Sequence, residues 1–481
     1  MLPSLISRLR PANGAAAGAQ PSEPFELRVL SAARAIGADG DFRAVLPTDS
    51  ARFAGRPEEM KLGFFGNIAN NAYNFVNCLR RLGYDAELVI EDGWFDAFLM
   101  NRPSWEDVPA ECEGFEEGLA CDRSWTAPAA VRRVAYDPEC QARYQGRFSA
   151  IPEVQRLYRE AFGQELAADR ALLLAQLMGH WPYLAAMQPY DAIQFSGASI
   201  AMAAFSPKPY VVFPTGGDVF LSPFEENLMG LIMRAAYRGA ACIALCQVNY
   251  AQYLDRFAAG RTRLFAPMMA DTDTYCPGEE PAVRARWREA VGGERYVLNV
   301  CRQSWHWKGN DRLIRGFARF HQTAGGRSWR LVLMQWGPDV DKTRRLVAEL
   351  GLQERVVWER LSSKPLLRQR QRAADVVADQ FVMAGYGASV LESMAAGKPV
   401  LMAPLPDADR YFPGDPPPFL GATQPDQIAE VLSAVVDGQA LSRQSAESLA
   451  WVRRHHGYHA VAPTYLRAFL HALGCVGKEA L

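Results

Sequence analysis

Residues 375–400, DVVADQFVMAGYGASVLESMAAGKPV, decide the fold of this chain. They begin with a short apolar run at 376–381, of the β-branched type that fills a buried parallel strand. A turn of small residues follows at 384–387, and the composition of 388–397 predicts a helix that the final glycine caps. Strand, glycine turn and helix in this order are typical of an α/β domain with an anion site at the start of the helix.

The glycine turn and the first helical residues form a candidate phosphate site: Gly385, Tyr386, Gly387, Ala388 and Ser389. The first N–H groups of a helix have no partner within it, and the helix dipole favours an anion there. Glu392 lies one turn further along, among apolar residues. A carboxylate in such surroundings is costly to desolvate unless something hydrogen-bonds to it, as a ribose diol beside the phosphates would.

Two well-known phosphate motifs do not fit this stretch. Val390 replaces the third glycine of the dinucleotide fingerprint, and Pro399 replaces the Ser or Thr of a P-loop. An ordinary strand–turn–helix unit, with no ligand, remains the alternative reading of these residues taken alone.

Composition indicates a globular protein with more than one domain. The 481 residues suffice for two or three domains, and 49% hydrophobic with 22% charged residues is ordinary. A net charge of −1 gives no basic face, so no nucleic-acid partner is expected. Nine cysteines at irregular spacings indicate reduced thiols in a cytoplasmic protein rather than a disulfide framework.

The membrane signals are weak. No apolar run approaches the ~18 residues that a spanning helix needs. The start of the chain, MLPSLISRLRP, is too short and interrupted for a signal peptide and reads as a tail. Its alternative is a small amphipathic anchor that would give weak peripheral membrane contact.

The pattern of strands and helices predicts two successive α/β halves with parallel sheets. The predicted units are a tail and lead-in at 1–58, a first domain at 59–274, a second domain at 275–458 and a C-terminal helix at 459–481 that packs back on the first domain. An aromatic-rich segment at about 93–160 interrupts the first domain as an insertion. It is either an acceptor-side lid or a packed structural excursion.

Two cations follow the first predicted strand of the second domain, at 295–300. Arg302 and Lys308 lie at the carboxyl end of that strand, opposite the glycine turn of the opening stretch. Arginine binds phosphate oxygens in bidentate fashion, and lysine acts as a point charge. Two α/β domains with such turns imply a ligand in the cleft between them.

The second half resembles the glycosyltransferase family 4 group of GT-B glycosyltransferases. The stretches that carry the likeness are VLNVCRQSWHWKGNDRLIRGFARF (297–320), LVLMQWGPDVDKTRRLVAELGLQERVVW (331–358) and the opening stretch at 375–400. The resemblance implies two Rossmann-like domains across a deep cleft, with the nucleotide-sugar donor on the second domain and the acceptor on the first. It also implies transfer of a hexose with retention, without a metal or other cofactor. The resemblance does not specify the nucleotide base of the donor.

The same resemblance implies roles for individual residues. Arg302 and Lys308 match the pair that neutralises the donor diphosphate, and Glu392 matches the acid that binds the ribose. The first acid of the family signature, which contacts the transferred sugar, is replaced by Ala384, and Asp379 is the candidate substitute. Two further residues at strand ends are expected on the donor side, namely Gly337 and Leu361.

On the acceptor side the candidates lie in two loops of the first domain: Gly66, Asn67, Gly216 and Gly217. Asp218 is the candidate catalytic residue facing the sugar, and its alternative role is to cap a turn or helix. The pair Asp271 and Asp273 and the histidines at 455–459 are read as structural rather than metal-binding.

Three hypotheses follow from the sequence. The first is a glycosyltransferase that acts on a glycan, lipid-linked or protein acceptor. The second is a catalytically impaired GT-B scaffold that binds nucleotide sugars or partners, since Ala384 replaces an acid. The third is a sugar-nucleotide epimerase of similar architecture.

Overall fold

The computed structural model of the protein describes residues 25–38, 56–92, 95–96, 98–114, 122, 125–383 and 385–480. The N-terminal anchor and Ala384, both singled out above, lie outside the described residues. None of the described helices combines the length and the apolar character needed to span a bilayer.

The first domain contains a parallel sheet of seven strands in the order β4-β2-β1-β5-β6-β7-β8. Its strands are β1 Lys61–Phe65, β2 Asp85–Asp92, β4 Val131–Ala135, β5 Ala192–Ser196, β6 Tyr210–Phe213, β7 Cys242–Leu245 and β8 Arg263–Phe265. The central strands are fully buried, as expected for a parallel sheet covered on both faces. The helices of this domain are Phe25–Ala38, Asn71–Arg81, Pro103–Asp107, Pro138–Tyr144, Ile151–Phe162, Ala168–Ala175, Trp181–Ala185, Ile200–Ala203, Gly217–Phe220, Leu228–Gly239 and Ala251–Phe257.

The second domain contains a parallel sheet of six strands in the order β11-β10-β9-β13-β14-β15. Its strands are β9 Arg295–Asn299, β10 Trp329–Met334, β11 Val356–Glu359, β13 Val376–Ala378, β14 Val400–Met402 and β15 Leu420–Gly421. Its helices are Pro281–Val291, Trp305–Lys308, Asn310–His321, Val340–Glu349, Lys364–Ala373, Ala388–Ala395, Ala408–Tyr411, Pro425–Ala434 and Gly438–His455. This strand order is that of a Rossmann sheet, whose ligands bind outside the carboxyl ends of the strands. The predicted α/β fold with two Rossmann-like domains is confirmed.

The C-terminal helix, Tyr458–Ala472, packs on the first domain. Tyr465 and Phe469 are buried, and their rings contact Phe75 and Phe64 from the first domain. The chain therefore crosses between the two domains twice, once after β8 and once before this last helix.

The structure differs from the predicted organisation in two places. The helix Phe25–Ala38 packs on the first domain, because Val29 and Ala33 recur at helical spacing and are buried in its core. The predicted insertion at 93–160 contains β4, which is the edge strand of the first sheet. Its outward-facing arginines gave no apolar alternation, so the sequence did not mark it as a strand.

Candidate functional site

The loops after β9 and β13, which are neighbouring strands, bring Lys308 to the glycine turn. Lys308 Nζ donates to Gln380 Oε1 at 2.6 Å and lies 3.7 Å from Asp379 Oδ1. Gln380 Nε2 donates to the carbonyl of Gly385, and the Ser389 hydroxyl donates to Asp379 at 3.0 Å. Lys308 is thus connected to the glycine turn on one side and to the first turn of the following helix on the other.

The charge of Lys308 is maintained in this position. Burial lowers the pKa of its ammonium group, but the neighbouring Asp379 carboxylate acts in the opposite direction, and the net effect is a raised pKa. Arg302 is exposed, and its charge acts on the pKa of Lys308, so the two cations lie close together. The predicted cation pair therefore shares one loop at the carboxyl edge of the second sheet.

Backbone contacts fix the loop that carries these cations. The Phe381 N–H donates to the carbonyl of Lys308 at 2.8 Å, which ties the loop to the end of β13. Asn310 Oδ1 accepts from the Ser304 N–H, and Asn310 Nδ2 donates to Asn299 at the end of β9. Gly309 has a φ of +68°, a left-handed conformation that lets the chain end one short helix and begin the next. These contacts fix the backbone position of Lys308.

The helix Ala388–Ala395 begins at the cleft between the domains. Gly387 precedes it and is exposed, and a Cβ at this position would meet no atom within 4 Å. Gly387 and Ala388 line a cavity of about 540 Å³ together with Thr215 and Gln247 from the first domain. The first N–H groups of this helix have no partner within it, so the cavity has an anion-binding end next to Lys308.

The predicted ribose acid, Glu392, does not line this cavity. It is 5% exposed, and its Oε1 accepts a hydrogen bond from the ammonium of Lys364. Glu106, from the first domain, joins the same buried cluster, where the Tyr275 hydroxyl donates to it at 2.6 Å. The second carboxylate oxygen of Glu106 and that of Glu392 are buried without a hydrogen-bond partner. Two acids and one lysine thus form a largely buried cluster between the domains.

The pKa values in this cluster follow from its burial. Burial raises the pKa of Glu106 to about 7, while Lys364 lowers it and Glu392 raises it further. Burial lowers the pKa of Lys364, but the two carboxylates outweigh this, so its pKa is raised and the lysine remains charged. The cluster is therefore sensitive to pH near neutrality through Glu106.

Residues 99–112, here named the donor cover, lie over the predicted nucleotide end of the site. The short strands β3 (Glu111–Cys112) and β12 (Leu361–Ser362) pair in antiparallel fashion. Ala110 and Ser363 form two further hydrogen bonds. The Ser363 N–H donates to the Ala110 carbonyl at 2.9 Å, and the Ala110 N–H donates to the Ser363 hydroxyl at 2.8 Å. Arg370 forms an ion pair with Glu111.

The donor cover buries Leu361, which was predicted to contact the donor. Leu361 is 3% exposed and packs with Leu99, Trp105 and Cys112. The lid hypothesis placed the whole segment 93–160 on the acceptor side. Residues 99–112 dock on the second domain instead, whereas β4 and the helices Pro138–Tyr144 and Ile151–Phe162 belong to the first domain. The cause is a set of backbone and ionic contacts between residues some 250 positions apart in the chain.

Gly337 allows its own backbone to approach that of Gln303 closely. Its φ is +112°, and a Cβ there would lie 2.5 Å from the carbonyl oxygen of Gln303. The Gln303 N–H donates to the carbonyl of Trp336 at 2.8 Å, so this turn supports the loop of Arg302. Gly337 therefore borders the cation loop.

The carboxylate of Asp218 is hydrogen-bonded within the protein, mainly to the turn that contains it. It accepts hydrogen bonds from the N–H groups of Thr215, Gly216 and Gly197 and from the Thr215 hydroxyl. Burial raises the pKa of Asp218, and these backbone donors lower it in part. The contacts favour the capping role, while Gly216 and Gly217 shape the turn next to Thr215, which lines the cavity.

Gly66 and Asn67 are also structural. Gly66 has a φ of +85°, and a Cβ there would lie 2.2 Å from the carbonyl oxygen of Ser196. Asn67 is fully buried, and its side chain bonds to Asn70, to the Asn101 carbonyl and to a backbone N–H. The residues that reach the cavity from this loop are the next two, Ile68 and Ala69.

Candidate metal ligands are paired within the protein. Asp271 accepts from Arg81 at 2.6 Å, and Asp273 accepts from the Tyr458 hydroxyl. His456 bridges the Tyr386 hydroxyl and the Met268 carbonyl, and burial lowers its pKa to about 3. Within the described part of the chain, no three His, Cys, Asp or Glu residues form a set that could hold a metal ion.

Sequence reasoning missed the cluster around Lys364. One signal was present, because Lys364 opens the helix Lys364–Ala373, where the helix dipole disfavours a cation. The ion pair with Glu392 offsets this unfavourable position. Glu106 carried no comparable signal.

Comparison with known proteins shows which family the second domain is similar to. Residues 284–447 match the family described as glycosyl transferases group 1. A D-inositol 3-phosphate glycosyltransferase of Nocardia farcinica is 35% identical over 159 residues, covering 32% of this chain and 35% of that protein. A GDP-mannose-dependent alpha-(1-6)-phosphatidylinositol monomannoside mannosyltransferase of Mycolicibacterium smegmatis is 32% identical over 143 residues, covering 28% and 36%. The chain thus spans about a third of the length of these two relatives.

Solved structures extend the likeness to both domains. The HepE protein of Anabaena, in complex with UDP-glucose, aligns with a TM-score of 0.56 at 16% identity over 85% of this chain and 98% of that one. Sucrose-phosphate synthase of Thermosynechococcus elongatus aligns with a TM-score of 0.56 at 13% identity over 86% and 100%. At these identities the likeness concerns the fold alone. The chain is a GT-B protein that resembles the glycosyl transferases of group 1, as its sequence predicted.

Proposed function

We propose that the protein transfers a hexose from a nucleoside-diphosphate sugar to an acceptor, with retention and without a metal or other cofactor. The observation that carries this proposal is the position of Lys308 beside the glycine turn, where the helix Ala388–Ala395 opens onto the cavity between the domains. Negative charge develops on the leaving diphosphate during transfer. A fixed lysine and a helix N-terminus stabilise that charge without having to reorganise.

Arg302 is the second cation of this proposal. It is exposed at the rim of the same loop, from which its guanidinium can bind a phosphate oxygen pair. Asp379 is held between Lys308 and Ser389, so in the proposed mechanism it orients the lysine. To contact the sugar in place of the acid that Ala384 replaces, Asp379 would have to give up its contact with Lys308 or with Ser389.

The comparisons support a nucleotide-sugar donor. One fold neighbour is described in complex with UDP-glucose, and one relative is named as GDP-mannose-dependent. Relatives are also named for D-inositol 3-phosphate and for a phosphatidylinositol mannoside, so the acceptor types span free and lipid-linked molecules. We propose a cytoplasmic location with weak peripheral membrane contact, which would suit a lipid-linked acceptor.

The donor cover favours one second candidate, a GT-B scaffold with impaired catalysis. Glu392 is already paired with Lys364, and Leu361 is already packed on the donor cover. For a nucleotide to reach both residues, the donor cover would have to move away from the second domain. If it stays docked, the protein binds partners or diphosphates without transferring a sugar.

A donor screen distinguishes these functions. We expect one nucleoside diphosphate and its sugar to raise the melting temperature, since a ligand bound only by the native state stabilises it. The same donor should be slowly hydrolysed without acceptor. Lys308→Ala should reduce this turnover ~10²–10³-fold, as for loss of one such electrostatic donor. Donor binding without turnover would favour the scaffold, and an isomerised sugar without acceptor would favour the epimerase.

A further inference from the structure

The cavity between the domains has a neutral lining. None of the 19 described residues that line it is Lys, Arg, His, Asp or Glu. Sites for phosphate or carboxylate groups use Arg and Lys side chains, which form the strong charge-assisted hydrogen bonds. Its anion-binding end is the helix start at Gly387 and Ala388, which the proposed donor diphosphate would occupy. The remaining walls, as far as the structure describes them, carry no charged side chain that would compensate a second anion.

Some of the polar groups in these walls are already hydrogen-bonded within the protein, such as Thr215, Gln247 and Gln380, and others are available to a ligand. Asn71 and Asn249 line the cavity, and neither side chain takes part in a hydrogen bond with another described residue. The Tyr253 hydroxyl on the same wall is likewise unpaired among the described residues. Each amide offers two donors and one acceptor, a set that matches the hydroxyl groups of a sugar or polyol ring.

Apolar surface surrounds these polar groups. Trp307 from the second domain is 41% exposed, and Leu221 from the first domain is 54% exposed, with both at the cavity. Aromatic and aliphatic side chains beside a few placed polar groups are typical of sites for small neutral molecules. They would cover the C–H faces of a ring whose hydroxyls reach the amides.

We infer that the acceptor group entering this cavity is a neutral, hydroxyl-rich ring that carries no phosphate or carboxylate. The inference rests on the proposed function, because it assigns the helix start to the donor. Asn71 and Asn249 bind the hydroxyls of this ring, and Trp307 packs against its face.

The test measures binding directly, by ligand-observed NMR titration on the full-length protein. The probes are matched pairs: methyl hexopyranosides with the corresponding hexose 6-phosphates, and myo-inositol with an inositol phosphate. In each pair we expect the phosphate to bind at least tenfold more weakly than the neutral member. Asn249→Lys should increase the affinity for the phosphates about tenfold, whereas Gln252→Lys, an exposed position outside the cavity, should leave it unchanged.

The outcomes separate this inference from the proposed function. Tighter binding of the phosphates by the natural sequence overturns the inference, and so does binding of no probe at all. If donors bind and turn over while only charged acceptors are used, the inference fails and the proposed function stands. If neutral rings bind and Asn249→Lys reverses the preference while no donor binds, the site assignment holds and the proposed function fails.

Discussion

The pH dependence of the donor cover provides a quantitative prediction through Glu106→Gln. Glu106 belongs to the first domain and is buried against Lys364 and Glu392 of the second, with Tyr275 and Asp107 also facing it. Its pKa is raised from the ordinary 4.5 to about 7 because burial disfavours the carboxylate. The docked form therefore holds a proton that the undocked form releases between about pH 4.5 and 7.

The size of the effect follows from these two values. One pKa unit corresponds to about 1.4 kcal/mol, so the docked form loses about 3 kcal/mol of stability as the pH rises across this window. This is equivalent to an increase of about 10²-fold in the equilibrium constant for undocking. Above about pH 7 both forms are ionised, and no further change is expected. Glutamine keeps an acceptor for the Tyr275 hydroxyl but has no proton to release.

Hydrogen exchange of the donor cover measures this equilibrium. Exchange of peptides from 99–112, corrected for the intrinsic pH dependence, should show undocking that increases about 10²-fold between pH 5 and 7.5. In Glu106→Gln the change should be less than about threefold. Glu113→Gln removes an acid that is 82% exposed and lies 3.6 Å from Arg360; because this side chain is solvated in both forms, the variant should keep the pH dependence of the natural sequence. Equal pH dependence in Glu106→Gln and the natural sequence would refute the reasoning.

Three further predictions concern buried groups. Lys364→Ala leaves Glu106 and Glu392 without their cation and should lower the free energy of unfolding by about 3–5 kcal/mol in urea titrations; a loss below about 1 kcal/mol would contradict it. Asp218→Asn should cost about 1–3 kcal/mol of unfolding free energy without altering the pH profile of turnover, and a shifted profile at unchanged stability would make Asp218 catalytic. Because burial lowers the pKa of His456 to about 3, this residue should contribute a loss of stability of about 1.4 kcal/mol per unit as the pH falls below 6.5. Glu106, whose pKa is raised, contributes the opposite slope in the same range, so the measurement is the difference in unfolding free energy between the natural protein and His456→Gln. This difference should change by about 2 kcal/mol between pH 6.5 and 5, and a constant difference would contradict the prediction.

The sequence predicted those parts of the site that depend on local pattern and sheet topology. The apolar runs of β9 and β13 predicted buried parallel strands, whose following loops lie at the same edge of the sheet. That β9 and β13 are neighbours, which brings Lys308 to the glycine turn, is a property of the Rossmann strand order that the family resemblance implied. Gly387 and Ala388 at the cavity followed from the turn and the helix start alone.

The contacts of Glu392 could not be predicted in this way. They depend on Glu106 and on two-residue strands at 111–112 and 361–362, which are too short to show any periodicity. These two strands pair only when the domains come together, and neither segment has a sequence pattern that predicts the pairing. For Asp218 the residue type suited both a catalytic acid and a cap, and only the surrounding backbone N–H groups distinguish the two.

The central claim is that Lys308 and the helix start at Gly387 bind a diphosphate. Calorimetric titration tests it with the nucleoside diphosphate that gives the largest thermal shift, compared with its nucleoside. We predict that the diphosphate binds at least ~10²-fold more tightly than the nucleoside, and that Lys308→Ala removes most of this difference. Lys342→Ala, an exposed lysine of the same domain, should preserve it. Equal diphosphate affinity in Lys308→Ala and the natural sequence would contradict the claim.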